Sequence, residues 1–359
     1  MTHPRVVSLG IATPPFAVEQ WQARQLAERL FGPELGGDAR LLQVFDHAQI
    51  DRRFSCVPLE WYERDHDFAE KNSRYVESAV QLAGEASLLA LGRAGLTPED
   101  VDHVVFVSST GLATPSIDAY LANALGLRSD VRRTPVWGLG CAGGAAGMSL
   151  GRQLALAEPS ARVLEIAIEL CSLAFQPNDQ TRRNFVATSL FGDGAAAALI
   201  VGPERAHDRN GHPPLELVAS KSTIWKNTLD VMGWTVDGDG LHVVFSRDIP
   251  AIVREHVREG LVEFLATVGK TLDDLAFLAV HPGGSKVLGA YADALDMPHS
   301  RFERSRETLR DFGNMSSPTC LFVLDRILQA NDVAPGTFGL IAALGPGFSA
   351  EYVLVRAAS

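Results

Sequence analysis

The sequence predicts an α/β fold built from two similar halves, in which buried strands alternate with amphipathic helices. Three observations carry that expectation. Short β-branched runs alternate with Ala/Leu-rich stretches along the whole chain, the pattern of strands layered between helices. At roughly 150 residues per domain, 359 residues correspond to about two domains, or to one large fold of two halves. One linker-like stretch, 202–216, rich in Gly, Pro and charge, divides the chain into an N-terminal half, 1–205, and a C-terminal half, 215–359. Each half carries an apolar strand beside a Gly-rich turn, FGDGAAAALIVG at 191–202 and ALGPGFSAEYVLV at 343–355, which hints at internal duplication although no fixed-period repeat is visible.

In chain order, residues 6–12 read as a strand and Trp21–Phe31 as a helix. Within Asn72–Ala94, the residues Val76, Val80, Ala83, Ala86 and Ala90 recur at helical spacing, which predicts a helix with one buried stripe. Gly95, followed by Thr97-Pro98-Glu99, stops it. The run 101–110 is apolar up to a small polar end, as expected of a buried strand that delivers a loop to a site. Further buried strands are expected at 162–170, 195–202, 275–281 and 339–345.

With 46% hydrophobic and 21% charged residues, the composition is that of an ordinary folded protein. Its 43 acidic and 32 basic residues give a net charge of -11, which disfavours a sequence-independent grip on nucleic acid. The N-terminus lacks a basic segment followed by a long apolar core, and no stretch reaches the ~18 apolar residues of a membrane span. A cytoplasmic protein with reduced thiols is therefore expected. Cys56, Cys141, Cys171 and Cys320 lie far apart, with no CxxC pair and no histidine at zinc-ligand spacing, so neither a disulfide nor a metal site is anticipated.

The stretch 136–157 runs from a short apolar strand through Gly140-Cys141 into a small-residue helix. Cys141 is thereby placed at a helix N-terminus, where free N–H groups and the helix dipole stabilise a thiolate and the flanking glycines let a substrate approach the sulfur. Taken singly, Cys56, Cys171 and Cys320 read as small packing residues. Most of the ten histidines sit in polar, loop-like contexts. His281 instead ends a core strand and precedes Pro282-Gly283-Gly284, so it can reach a shared pocket; a hydrogen-bonded core histidine is the alternative. Asn314 lies between Gly313 and the helix start Ser316-Ser317-Pro318, and by itself reads equally well as a turn or N-cap residue.

Taken together, GCAGG around Cys141, HPGG from His281, GNMSS around Asn314, the FGDG turn at 191–194 and GPGFSAE at 345–351 resemble the type III polyketide synthases of the chalcone and stilbene synthase superfamily. The resemblance extends from about Val6 to Val355. β-Ketoacyl-ACP synthase III shares the Cys-His-Asn set and the FGDG turn, whereas the GPG and HPGG motifs favour type III. The resemblance implies a thiolase fold, two fused halves in five αβαβα layers, working as a homodimer on acyl-CoA and malonyl-CoA with no cofactor or metal. It implies that Cys141 takes the starter acyl group, that His281 holds the thiolate as an ion pair, and that His281 and Asn314 donate hydrogen bonds to thioester oxygens. Decarboxylation of malonyl-CoA develops an enolate oxyanion, which two N–H donors stabilise. The carbanion then attacks the Cys141 thioester.

By the same resemblance, Phe191 matches the gatekeeper between the CoA tunnel and the cavity, and Gly345-Pro346-Gly347 the loop that shapes the cyclisation cavity; a core residue and a plain turn are the alternatives. Arg52 and Arg53, with Gly283 and Gly284, fall where family members hold CoA, while the arginines alone read equally as a solvated pair. Cys171 stands where chalcone synthases carry a cavity threonine. Trp234 and Val243 replace a glycine and a phenylalanine on the cavity wall, which argues against a coumaroyl starter folded as in chalcone synthase. The stretches 229–250 and 111–118 look most like bacterial alkylresorcinol and alkylpyrone synthases, which use fatty acyl starters. Thr114 falls on the loop that reaches into the partner's cavity, and Thr110 and Ser109 are candidate hydroxyls for ring closure. The expectation is a decarboxylative condensing acyltransferase making alkylpyrones or alkylresorcinols. The alternatives are a single-round ketosynthase III and a non-catalytic acyl-CoA-binding scaffold.

Overall fold

A computed structural model of the chain describes residues 3–31, 42–179, 181–205, 214–331 and 333–358. The N-terminal half runs through β1 (Arg5–Ala12), β2 (Phe16–Glu19), α1 (Gln20–Phe31), α2 (Gln43–His47), β3 (Arg52–Ser55), α3 (Phe68–Arg93) and β4 (His103–Val107). It continues through α4 (Ile117–Leu125), β5 (Arg132–Val136), α5 (Gly143–Ala157), β6 (Arg162–Leu170), α6 (Arg182–Leu190) and β7 (Asp193–Val201). The C-terminal half comprises β8 (Leu215–Ile224), β9 (Met232–Asp237), β10 (Gly240–Phe245), α7 (Ile249–Ala266), β11 (Leu275–Val280) and α8 (Ser285–Leu295), then α9 (Glu303–Phe312), α10 (Thr319–Gln329), β12 (Phe338–Gly345) and β13 (Ser349–Ala357). Of the linker-like stretch 202–216, residues 206–213 lie outside the described residues.

Among the described residues nine strands form one sheet in the order β11-β12-β13-β8-β1-β7-β6-β4-β5. Its two wings repeat one plan. β4 lies parallel to β6, followed by antiparallel β7 and β1; β11 lies parallel to β12, followed by antiparallel β13 and β8. The wings are joined where β1 pairs with β8, at Arg5–Glu216 and Val6–Leu215.

Five layers follow from what each strand buries on its two faces. Val105 and Val107 of β4, Ala198 and Ile200 of β7, Ile341 and Ala343 of β12, and Val353 and Val355 of β13 share one core with α5 and α10. The alternate residues turn the other way: Val104, Phe106 and Leu199 pack with α3 and α4, and Leu340, Ala342 and Leu354 pack with α7 and α8. Side chains alternate along a strand, so strands apolar on both faces need helices on both sides. The order is α3/α4, one wing, α5/α10, the other wing, α7/α8. Among the described residues no helix is long and apolar enough to cross a membrane.

Two boundaries differ from the sequence expectation for local reasons. The helix expected from Asn72 begins at Phe68, because the Asp67 carboxylate accepts the Glu70 N–H and caps it. The strand expected over 101–110 ends at Val107, because Ser109 and Thr110 leave the ladder to donate hydrogen bonds to the Glu169 carboxylate.

Glu165 on β6 interrupts the apolar central layer. It is fully buried against Gly147 of α5, and neither carboxyl oxygen has a hydrogen-bond partner among the described residues. Burial holds this carboxyl well above the usual carboxylate range, which keeps it neutral. The folded state therefore retains a proton that the unfolded chain releases, so this group's contribution to stability falls as pH rises past the ordinary glutamate range. Glu165→Leu is expected to raise the unfolding free energy by about 1–3 kcal/mol in urea titrations, with a larger gain at mildly alkaline than at mildly acidic pH. A loss of stability at both pH values would show that the carboxyl is a needed partner.

Candidate active site

Cys141 lies in a single tight turn, Gly140–Ala142, that leads directly into α5. The Ser109 hydroxyl accepts the N–H groups of Gly138 and Gly140 and fixes the approach. Gly140 has φ +45, and a Cβ there would lie 2.9 Å from the Pro346 ring. On the facing strand end, a Cβ on Gly345 would lie 2.5 Å from both Ala142 Cβ and the Leu139 carbonyl oxygen. The Gly345-Pro346-Gly347 turn is thus seated on the Cys141 turn because neither contact point carries a side chain.

One small pocket brings Cys141, His281, Asn314 and Gly283 together under Phe245 and Val287. His281 leaves β11 with its N–H still bonded to the Ala342 carbonyl; its ring is buried and neither ring nitrogen has a hydrogen-bond partner among the described residues. Asn314 is also buried. Its Oδ1 accepts the Ser316 N–H at 2.8 Å and its Nδ2 donates to the Gly283 carbonyl at 3.2 Å, so it ties the His281 loop to the start of α10. Gly284 is buried next to that loop, ahead of α8.

Burial pushes the Cys141 thiol up to about 11, against hydrogen bonds from Ser316 and Asn314 that draw it down. Burial also pushes the His281 imidazole down to about 3. A lone thiolate and a lone imidazolium are both costly here, so the two charges arise together, by passage of the thiol proton to the ring.

Sequence reasoning missed Glu169. Its fully buried carboxyl accepts the Ser109 N–H at 2.9 Å, the Thr110 hydroxyl at 2.8 Å and the Ser317 hydroxyl at 2.9 Å. Burial pushes it up to about 7, with these hydrogen bonds opposing. The signal was available: an acid near the end of a strand whose neighbours are apolar needs partners. Thr110 has its hydroxyl engaged by Glu169 and by the Leu170 N–H, and it lines a separate small pocket with Lys71 and Gln176.

A larger cavity is lined by Cys171, Phe191, Trp234 and Val243, together with Leu26 of α1 and Phe175. Trp234 and Val243 are partners in register across the β9–β10 hairpin, and the Trp234 ring lies 6.4 Å from that of Phe191. Phe191 lines the larger cavity, and its backbone bridges to Asn314, whose N–H donates to the Leu190 carbonyl while the Gly192 N–H donates to the Asn314 carbonyl.

The expectation that Arg53 holds a CoA phosphate is corrected. Arg53 is only 5% exposed, and its guanidinium donates to the carbonyls of Thr188, Ser189 and Phe191. Arg52, its neighbour on the strand, points the opposite way and is exposed, with its guanidinium 5.4 Å from the Phe54 ring centre. Arg247 and Lys286 are exposed and precede, by two residues and by one, the small-pocket wall residues Ile249 and Val287 in the chain. Thr114 is exposed on the loop before α4.

His281→Gln is expected to leave the Cys141 thiol with no proton acceptor in a desolvated pocket. Its alkylation by iodoacetamide should then slow sharply at neutral pH, and the alkaline midpoint should approach the value of about 11 to which the pocket raises the thiol. An unchanged pH profile would show that His281 does not govern the thiol.

Comparison with known proteins agrees with this geometry. The profile of the N-terminal domain of chalcone and stilbene synthases matches residues 5–204, and that of the C-terminal domain matches residues 216–359. A putative chalcone synthase of Bacillus subtilis (strain 168) is 40% identical over 356 residues, covering 97% of each chain. A 1,3,6,8-tetrahydroxynaphthalene synthase of Streptomyces peucetius subsp. caesius is 39% identical over 352 residues, covering 98% of this chain and 92% of the relative. The crystal structure of 1,3,6,8-tetrahydroxynaphthalene synthase from Streptomyces coelicolor A3(2), a bacterial type III polyketide synthase, superposes with a TM-score of 0.92 at 28% identity over 99% of both chains. Matched along both halves and nearly full-length to its relatives, the chain belongs to the chalcone and stilbene synthase family and is a type III polyketide synthase, a decarboxylative condensing transferase that uses acyl-CoA and malonyl-CoA.

Proposed function

We propose that this enzyme loads a fatty acyl starter on Cys141, extends it with malonyl-CoA and releases alkylpyrones or alkylresorcinols. The observation that carries the starter class is the apolar cavity behind Phe191, walled by Leu26, Phe175, Trp234 and Val243. Such walls favour an alkyl chain through apolar burial of about 0.8 kcal/mol per methylene. The indole of Trp234 narrows the side against Phe191.

The buried pair dictates the loading step. The Cys141 thiol proton passes to His281 as the sulfur attacks the acyl-CoA carbonyl, and the departing CoA thiolate takes that proton back. Malonyl-CoA then loses carbon dioxide, and the electrons of the broken carbon–carbon bond move into an enolate whose oxygen accepts hydrogen bonds from His281 and the Asn314 amide. The enolate carbon attacks the Cys141 thioester and releases the thiolate. Apolar Phe245 and Val287 beside the pair favour loss of the malonyl carboxylate by withholding water from it. Arg247 and Lys286 would meet the CoA phosphates at the rim, which reconciles a protein of net charge -11 with an anionic substrate. A homodimer is part of the reading: Leu112, Tyr120 and Trp137 are exposed apolar residues near Thr114 and the edge strand β5.

The relative named a tetrahydroxynaphthalene synthase marks the rival product class, an aromatic ring system without an alkyl tail. Incubation of the purified enzyme with malonyl-CoA and a panel of aromatic, medium-chain and long-chain acyl-CoAs, with products identified by mass spectrometry, separates the two. Cyclic products carrying the alkyl tail are expected, and Cys141→Ala should abolish them. Products formed from malonyl-CoA alone, or linear β-keto products only, would refute the reading. Trp234→Gly should raise kcat/KM for an aromatic starter relative to a fatty one by roughly tenfold, the discrimination of one pocket contact.

A further inference from the structure

Arg53 is a buried cation on the wall of the larger cavity, with no ion-pair partner among the described residues. A desolvated guanidinium persists only where dipoles replace the missing countercharge. Here those dipoles are carbonyls at the C-terminal end of α6. Nη1 donates to the Thr188 carbonyl at 2.7 Å and to the Phe191 carbonyl at 3.0 Å, and Nη2 donates to the Ser189 carbonyl at 2.7 Å and to Gln20 Oε1. The last carbonyls of a helix lack intrahelical donors and form the negative end of its dipole. Gln20 completes the clamp, its Nε2 donating at 3.1 Å to both the Ser189 and Phe45 carbonyls.

The residue held by this clamp is Phe191. Arg53 binds its carbonyl on one side, and on the other the flanking Leu190 and Gly192 are bonded to the Asn314 backbone. Gly192 and Gly313 lie on the Arg53 stem, where a Cβ would come within 3.2 Å and 3.4 Å of the Arg53 Cβ. The stem and fork therefore touch both the gate segment and the residue before Asn314. A planar fork can serve three carbonyls at once, and an ammonium cannot match that geometry.

We propose that Arg53, with Gln20, is a positioning residue that fixes Phe191 between the Cys141 pocket and the acyl cavity, and thereby sets how many condensations precede release. The proposal rests on the reading of Phe191 as the gate. The starter's alkyl chain enters the larger cavity once, when Cys141 is loaded, whereas each condensation moves a longer chain past Phe191, so loosening the clamp alters product length more than it alters loading.

The test is a double-mutant cycle on the full chain with Arg53→Lys, Gln20→Ala and Phe191→Ala. Loading is read by intact-mass detection of acyl-Cys141 with acyl-CoA alone, and product length by mass spectrometry with malonyl-CoA added. Arg53→Lys and Gln20→Ala are each expected to keep the loading rate within about twofold, and to shift the ratio of shorter to longer polyketides by about threefold or more, an effect that vanishes when Phe191 is already alanine. Arg53→Lys or Gln20→Ala shifts of equal size in the Phe191→Ala background would make the clamp merely structural and overturn the proposal. A wild-type profile in both clamp variants, with Phe191→Ala shifted, overturns it while leaving the gate intact. A wild-type profile in Phe191→Ala overturns the gate reading itself. If Arg53→Lys does not fold, Gln20→Ala, which leaves the cation in place, decides the cycle.

Discussion

The close approach of α5 to its neighbours is the constraint on which the structure depends. α5 and α10 are buried between two wings of sheet, so their backbones must come near both strands and each other. A Cβ on Gly143 would lie 2.5 Å from a Val107 methyl, and one on Gly144 would strike the Ser317 carbonyl and come 3.0 Å from Cys320 Sγ. The small-residue start of α5 is therefore a packing requirement before it is a catalytic one. Its consequence is that the N-terminal ends of α5 and α10 meet, which brings Cys141 beside Asn314 and Ser316.

Central burial also sets the chemistry. Cys141 and His281 are both buried, so neither group holds charge cheaply by itself, and proton transfer between them becomes the means of making a nucleophile. Glu169 obeys the same rule with a different outcome. Its hydrogen bonds from Ser109, Thr110 and Ser317 stabilise the charged form that burial opposes, leaving a carboxyl near neutrality that joins the Cys141 turn to α10. Glu165, two turns of the pleat earlier on the same face of β6, has no such donors and stays neutral.

Two spaces meet at this centre, and they differ in construction. The small pocket takes Cys141, His281, Asn314 and Leu344 from elements fixed by the layered core, and Met232 and Phe245 of the β9–β10 hairpin wall its edge. The larger cavity draws on α1 and on the β9–β10 hairpin, which lie outside the nine-stranded sheet. Chemistry thus rests on the scaffold and substrate fit on its appendages, a division in which starter preference can change without disturbing the catalytic geometry.

The sequence by itself determined the strands with continuous apolar runs, the helix-start setting of Cys141, and the His281 and Asn314 loops, because these signals are carried by adjacent residues. Motif resemblance added Phe191, Trp234 and Val243, and the structure gathers all three at one cavity. Only the tertiary structure decided that Arg53 turns inward while Arg52 stays in solvent, since two neighbouring arginines on a strand look alike until the partners of each face are known. Glu169 was hidden for a related reason: its donors come from residues 109, 110 and 317, and the need for a buried carboxylate appears only when those segments converge. Local physics is written in local sequence, but the electrostatic fate of a charged side chain is set by groups that folding brings from far along the chain.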